Sequence, residues 1–114
     1  MNPAIKIEAT ADNKGGKIKI HTYSKEKTLH LSTNYIIRRS SSKDNFEYWE
    51  DMYTFLSPYG SILDFTWEDI TVESGVWYKY SLQQRNIQGF RSNFLETSLV
   101  MVVFDEIFLI DSQQ

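Results

Sequence analysis

From Gly75 to Arg85 the chain reads GVWYKYSLQQR, a run of mostly alternating character. Successive side chains on an extended strand point to opposite faces. Tyr78, Tyr80 and Leu82, followed by Gln84, therefore share one side, and Trp77, Lys79, Ser81, Gln83 and Arg85 share the other. This predicts a half-buried strand with one apolar face, opened by Gly75 and closed by Asn86, Gly89 and Ser92. The longer stretch from Phe65 to Ser92 is the piece around which the rest of the chain is organised.

The same period of two recurs elsewhere. Ala4 to Thr10 predicts a first strand with Ile5 and Ile7 on one face. Asp12, Asn13, Lys14, Gly15 and Gly16 then form a strong turn signal, because Asn and Gly tolerate the left-handed backbone of a tight reversal. Lys17 to Tyr23 continues as a strand with Ile18 and Ile20 on one face and His21 on the other. Ser24 to Thr28 is polar and reads as a loop. From Leu29 to Arg39 the ladder resumes through Leu29, Leu31, Thr33, Tyr35 and Ile37, and Ser40 to Asn45 reads as a solvated loop.

Phe46 to Phe55 fits both periods: Phe46, Trp49 and Tyr53 suit a helix, and Phe46, Tyr48 and Met52 suit an interrupted strand. Its five aromatics in ten residues favour a short strand with a bulge. Ser57, Pro58, Tyr59 and Gly60 mark a turn, Ser61 to Trp67 another strand carrying Ile62, Leu63, Phe65 and Trp67, and Glu68 to Ser74 a loop. Arg91 to Phe104 predicts a final long strand broken near Thr97 and Ser98. About seven strands with no long helix predict an all-β, antiparallel two-sheet β-sandwich.

Composition narrows the setting. The chain has 114 residues, which fits one domain. Its hydrophobic content of 41% is too high for a disordered segment. Cysteine is absent, so no disulfide or thiolate metal site forms, in keeping with assembly in a reducing compartment. A net charge of −3 gives no attraction for a polyanion, so nucleic acid is not an expected partner. The N-terminal MNPAIKIEAT lacks the apolar core of a signal peptide, so the chain is expected to stay where it is made unless it is a piece of something longer. The apolar run from Leu99 to Ile110 is broken by Asp105 and Glu106 and falls short of the ~20 residues that span a bilayer. Ile107, Phe108, Leu109 and Ile110 form an unbroken apolar run. The expectation is a sandwich over residues 1–106 and a segment over 107–114 that leads into a further domain or a neighbouring subunit.

Gly75, Tyr78, the alternation through Arg85, then Asn86, Gly89 and Ser92 resemble the sixth-strand pattern of the fibronectin type III domain. Asp69 and Val72 precede that glycine where many bacterial members place an aspartate and an apolar residue. Tyr35, Ile37, Arg39 and Ser40, with Trp49 after the loop, resemble the family's third strand. The likeness covers most of Asn34 to Ser92. It departs at Lys17 to Tyr23, where the family usually carries a buried tryptophan, so Trp49 or Trp67 is expected to help fill the core. The resemblance implies an immunoglobulin-like sandwich in which Tyr78 is the tyrosine corner, its hydroxyl bonded to backbone near Asp69 to Val72. A narrower likeness, carried by WYKYSLQQRN and the later FDEIFLID, is to domains of bacteriophage virion proteins of the neck, tail or baseplate.

The chemical inventory is thin. His21 and His30 have no further ligands at metal spacing. Glu47, Glu50, Asp51, Glu68, Asp69 and Glu73 lack a calcium-loop pattern and read as solvated loop charges. Ser40, Ser41 and Ser42 have no nucleophile elbow, Gly15 and Gly16 form no phosphate loop, and Arg38, Arg39 and Lys43 read as a solvated edge. No cofactor, metal or catalytic residue is expected. The chain is therefore expected to be a non-catalytic structural or interaction module, most readily of a virion, assembled in the host cytoplasm and contacting other virion proteins, adjacent domains or copies of itself. Trp77, Phe90, Phe94 and the Ile107 to Ile110 run are the contact candidates, Trp77 because exposed tryptophan is enriched at contact hot spots. The alternative is a carbohydrate-associated domain of a secreted bacterial hydrolase or adhesin, with Trp77 and Trp67 stacking on sugar rings. A coplanar exposed pair on one face would favour it.

Overall fold

Ile18 and Ile20 have to be hidden from water, and the turn before them provides the first layer that hides them. In the computed structural model, which describes residues 5–27, 33–58, 60–85 and 95–104, β1 (Ile5–Asp12) and β2 (Lys17–Lys27) form an antiparallel hairpin closed at Asp12 and Lys17. Gly16 in this turn takes φ +66, and a Cβ there would lie 3.2 Å from the Phe104 ring. Only glycine meets both demands without strain.

The remaining strands are β3 (Thr33–Ser41), β4 (Glu50–Ser57), β5 (Ile62–Asp69), β6 (Trp77–Arg85), and two short pieces, β7 (Leu95–Glu96) and β8 (Val100–Met101). One sheet has the order β1-β2-β5; the other has β4-β3-β6-β7, with β8 also paired to β6. All pairings are antiparallel. The inner faces close over a core of Ile18, Ile20 and Leu63 from the first sheet and Tyr35, Ile37, Tyr78, Tyr80 and Leu82 from the second, joined by Val72 and Val102. The all-β sandwich expected from the alternation is the observed architecture.

Several boundaries differ from those expected. Ser24 is not in a loop: β2 runs to Lys27, and the buried Ser24 hydroxyl accepts the Leu63 N–H at 3.1 Å, substituting for a ladder bond where the register slips. Ser40 and Ser41 belong to β3, and Ser40 is buried. Glu68 and Asp69 likewise lie in β5. Phe46 to Trp49 are not strand. A short 3-10 turn, Ser42–Asp44, precedes Asn45 and Phe46, both with left-handed backbone (φ 58 and 59), and this reversal ends extension until Glu50. The expected bulge is present, since Ile37 pairs with Tyr53 and Arg38 with Asp51, leaving Met52 as the extra residue. The last strand is broken at residues 97–99. Among the described residues no helix is long and apolar enough to cross a membrane.

The core is completed without a buried tryptophan. Trp67 is half-buried and packs against the cluster, ending a run of stacked rings between the β4 and β5 edges: Tyr35 on Phe55, Phe55 on Phe65, Phe65 on Tyr53 and Tyr53 on Trp67. Trp49 instead lies near Lys79, with its ring 5.3 Å from the ammonium. Tyr35, Tyr78 and Tyr80 are the largest fully buried side chains.

Candidate functional site

At the end of the sandwich where β3 and β5 finish and β6 begins, polar groups converge on a carboxylate that has no solvent exposure. Asp69 shares an inward parity on β5 with Leu63, Phe65 and Trp67, and Arg39 shares one on β3 with Tyr35 and Ile37. The two sheets thus present opposite charges to each other. Asp69 Oδ2 accepts from Arg39 at 2.9 Å and from the Tyr80 hydroxyl at 2.6 Å; Oδ1 accepts from the Thr71 N–H at 3.0 Å and the Thr71 hydroxyl at 2.7 Å. Burial alone would raise the Asp69 carboxyl, but the bonds from Tyr80 and Thr71 and the nearby Arg39 charge outweigh it and hold the group below its ordinary 3.8. Burial, then the bond to Asp69, pushes the Tyr80 phenol far up.

Arg39 is consumed by this arrangement. It also donates to Glu50 at 2.7 Å and to the Thr71 hydroxyl at 2.8 Å, and its guanidinium lies 5.1 Å from the centre of the Tyr78 ring. Beside it is an open depression lined by Arg39, Ser41, Asp44, Tyr48 and Glu50. Tyr78 is buried and its hydroxyl accepts the Glu73 N–H at 2.8 Å, one residue beyond the expected Asp69 to Val72. Gly75, at φ +81, makes the turn that follows, and its N–H reaches the Val102 carbonyl at 2.9 Å. The Val103 N–H donates to Asn13 and the Phe104 N–H to Ser74, so the turn at Asn13, the loop at Ser74 and Gly75 and the stretch from Val102 to Phe104 are tied together at this end of the sandwich.

The outer face of the second sheet is built differently. Trp77, Lys79, Ser81 and Gln83 point outward from β6, and Ile36, Arg38 and Ser40 from β3. Trp77 is 45% exposed; its backbone N–H donates to the Ser42 hydroxyl at 3.0 Å and it pairs with Met101. The Lys79 ammonium lies 5.4 Å from the Phe46 ring and 3.5 Å from the Glu96 carboxylate. Ser81, Gln83 and Ile36 are buried, so this face is not the solvated one expected from its polarity.

The comparisons with known proteins bear on the fold. No family model and no curated protein matches the chain. A family 76 glycoside hydrolase from a bovine Bacteroides thetaiotaomicron strain superposes with a TM-score of 0.59 and 11% identity, over 94% of this chain and 21% of that one. A Fn3-like protein from Clostridium thermocellum superposes with a TM-score of 0.51 and 16% identity, over 92% of this chain and 96% of that one. The fold is fibronectin type III-like. At these identities the likeness is one of architecture, and the chain spans about a fifth of the length of the hydrolase.

Within the Fn3-like sandwich, Tyr78, Tyr80 and Leu82 line the interior and Gly75 sits at the turn before them. Asn86, Gly89, Phe90, Phe94 and Ile107 to Ile110, as well as His30, lie outside the described residues. Two readings are corrected. Arg38 and Arg39 are not the solvated edge expected, since Arg38 is largely covered and pairs with Asp51 and Arg39 pairs with Asp69 and Glu50, whereas Lys43, paired with Glu73, is solvated as expected. Asp69 is not a solvated loop charge but the centre of the buried cluster. The signal that could have found Arg39 and Asp69 was strand parity, which places each on the inward face of its apolar neighbours. Trp67 and Trp77 lie on different sheets and opposite kinds of face, so they form no common platform. His21 lies 2.7 Å from Asp64 and stacks on Tyr23. Among the described residues no group of three or more possible ligands is placed to hold a metal ion.

Proposed function

We propose that the chain is a non-catalytic structural module that holds neighbouring units of a larger assembly at fixed geometry. The observation carrying this reading is the closed cluster of Arg39, Asp69, Tyr80 and Thr71, whose donors and acceptors are spent on one another across the two sheets. A nucleophile or general base needs a free valence toward substrate; a brace does not. The finer setting, a virion protein of the neck, tail or baseplate, is supported by the likeness of WYKYSLQQRN and FDEIFLID to such domains. Its partners would be other virion proteins or adjacent domains.

A second setting is favoured by one observation, the superposition on about a fifth of a glycoside hydrolase. There the module would be an accessory domain of a secreted bacterial enzyme. Mass spectrometry of purified particles against culture medium separates the two settings, since the virion reading requires the chain in particles. Assaying the purified chain against glycoside, ester and phosphoester substrates tests the shared claim. The expected result is no turnover; turnover removed by Asp69→Asn or Arg39→Met in a folded protein would overturn it.

A further inference from the structure

We propose that the chain pairs with a second copy of itself through the free edge of β4, the two strands running antiparallel about a two-fold axis at Phe55. A sheet edge leaves a row of backbone N–H and C=O groups unpaired, and proteins guard such edges with charge or keep them short. Among the described residues, three of the four edge regions follow that rule. β1 carries Lys6 and Glu8, β5 carries Asp64 and Glu68, and β7 and β8 have two residues each. β4 does not. From Met52 to Ser57 it reads MYTFLS, with no charge, glycine or proline, and Tyr53, Thr54 and Leu56 are exposed. The bulge at Met52 bounds the regular part, so residues 53–57 form the stretch open to pairing.

The strand's own sequence decides the occupant. In an antiparallel pair centred on Phe55, Thr54 of each copy faces Leu56 of the other on the outer side, and the two Phe55 residues face each other on the side of the core. Phe55 already stacks on Phe65 with 4.1 Å between ring centres, and the pairing carries that stack across the axis. Aromatic cross-strand pairs of this kind are stabilising. Charge selects the same arrangement. Glu50 and Asp51 lie just before the paired stretch, balanced within their own chain by Arg39 and Arg38. Antiparallel pairing holds the two Asp51 carboxylates about 27 Å apart along the strands, whereas parallel pairing would set them side by side. A foreign strand bearing charge would lay it against an uncharged edge and gain no counter-charge. The two-fold pair also uses up both free edges, so it closes at two copies.

The inference rests on the reading of the chain as a structural module and names its partner. The test is sedimentation equilibrium of the full chain up to about 1 mM, the weak end of specific association. The expected result is a mass that rises with concentration from 13.4 kDa toward twice that value and no further. The dimer is expected to be lost when Thr54→Lys and Leu56→Lys are combined, which sets like charges opposite each other at exposed positions, and to persist in Trp77→Ser on the outer face of the same sheet. Circular dichroism checks that both proteins fold. The chain has no cysteine, so introduced thiols report the register. Under mild oxidation a mixture of Thr54→Cys and Leu56→Cys should cross-link in higher yield than either variant alone. A monomer at every concentration, a dimer that survives the two lysines or fails in Trp77→Ser, or equal cross-linking in all three samples would overturn the proposal. Turnover by a chain that still dimerises through β4 would instead overturn the non-catalytic reading alone.

Discussion

Tyr80 donates its phenol proton to Asp69 over 2.6 Å, at a carboxylate closed off from solvent. The tyrosine comes from the second sheet and the aspartate from the first, so this bond fastens the two layers together. Asp69→Asn removes the charge that balances the 15%-exposed Arg39 side chain and turns an acceptor into a donor facing donors. Loss of about 3–5 kcal/mol is expected, the range for breaking one partner of a buried pair. Tyr80→Phe removes a single donor and is expected to cost about 1–3 kcal/mol. Urea unfolding midpoints of the two variants, compared at equal slope, check the order.

Asp69 also makes stability depend on acid. Its folded carboxyl is held below 3.8, so its contribution is complete above the ordinary carboxylate range and is lost as pH falls through the depressed folded value. Stability is therefore expected to be flat with respect to this group near neutrality and to decline below about pH 4. In Asp69→Asn the acid-side decline should be shallower. An unchanged acid slope in that variant would show that other carboxylates carry it.

Alkali tests the partner. Burial and the bond to Asp69 raise the Tyr80 phenol well above 10, and burial raises Tyr35. A raised folded value means that the stabilisation is present below the ordinary phenol range and is lost as pH rises through the folded value. Absorbance titration at alkaline pH should therefore show Tyr80 silent in an early phase over the ordinary phenol range, with its amplitude appearing in a late phase only when the chain unfolds. Tyr80→Phe should leave the early phase unchanged and reduce the late one.

The turn at Gly75 separates backbone strain from side-chain contact. A Cβ at Gly75 meets no atom within 4 Å, yet φ is +81. Gly75→Ala is thus expected to cost about 1–2 kcal/mol from conformation alone, and Gly75→Asn less, because Asn tolerates this region. Tyr78→Phe keeps the ring and loses the bond from the Glu73 N–H. A cost of about 1–3 kcal/mol is expected for the N–H left behind. Thermal unfolding of all three variants measures both effects.

These positions mark where the sequence could be read and where it could not. Tyr78, Tyr80 and Leu82 were legible because a period of two on a central strand has one dominant cause, the pleat. Ser24 was not, because a polar run reads as a loop unless its hydroxyl is known to replace a ladder bond. Ser81 and Gln83 are polar yet buried on the outer face, and no local pattern announces such cover. Arg39 and Asp69 were the informative misses. Charge argued for solvent and parity for the interior, and parity prevailed because each residue supplied the other's counter-charge across the sandwich. The Phe46 reversal depends on two consecutive left-handed residues, one of them a phenylalanine, which composition does not signal.

The aromatic run between the β4 and β5 edges provides the last test. Phe65 lies between Phe55, at 4.1 Å between ring centres, and Tyr53, at 5.6 Å, and so is the link on which the other contacts converge. Tyr53 is 42% exposed and Trp67 is half-buried, so the run shields this side of the core and its rings remain partly wet. Phe65→Ala removes two ring contacts and opens a void beneath Tyr53. A cost of about 3 kcal/mol is expected, the low end for a buried phenylalanine because Phe65 is only partly covered. Tyr53→Ala removes the outermost stacking partner of Phe65 and Trp67 without emptying the core, and about 1 kcal/mol is expected. If unfolding midpoints showed the two variants equally damaged, the run would be acting as one unit through Tyr53. If Phe65→Ala were the milder, the shielding role assigned to it would be wrong.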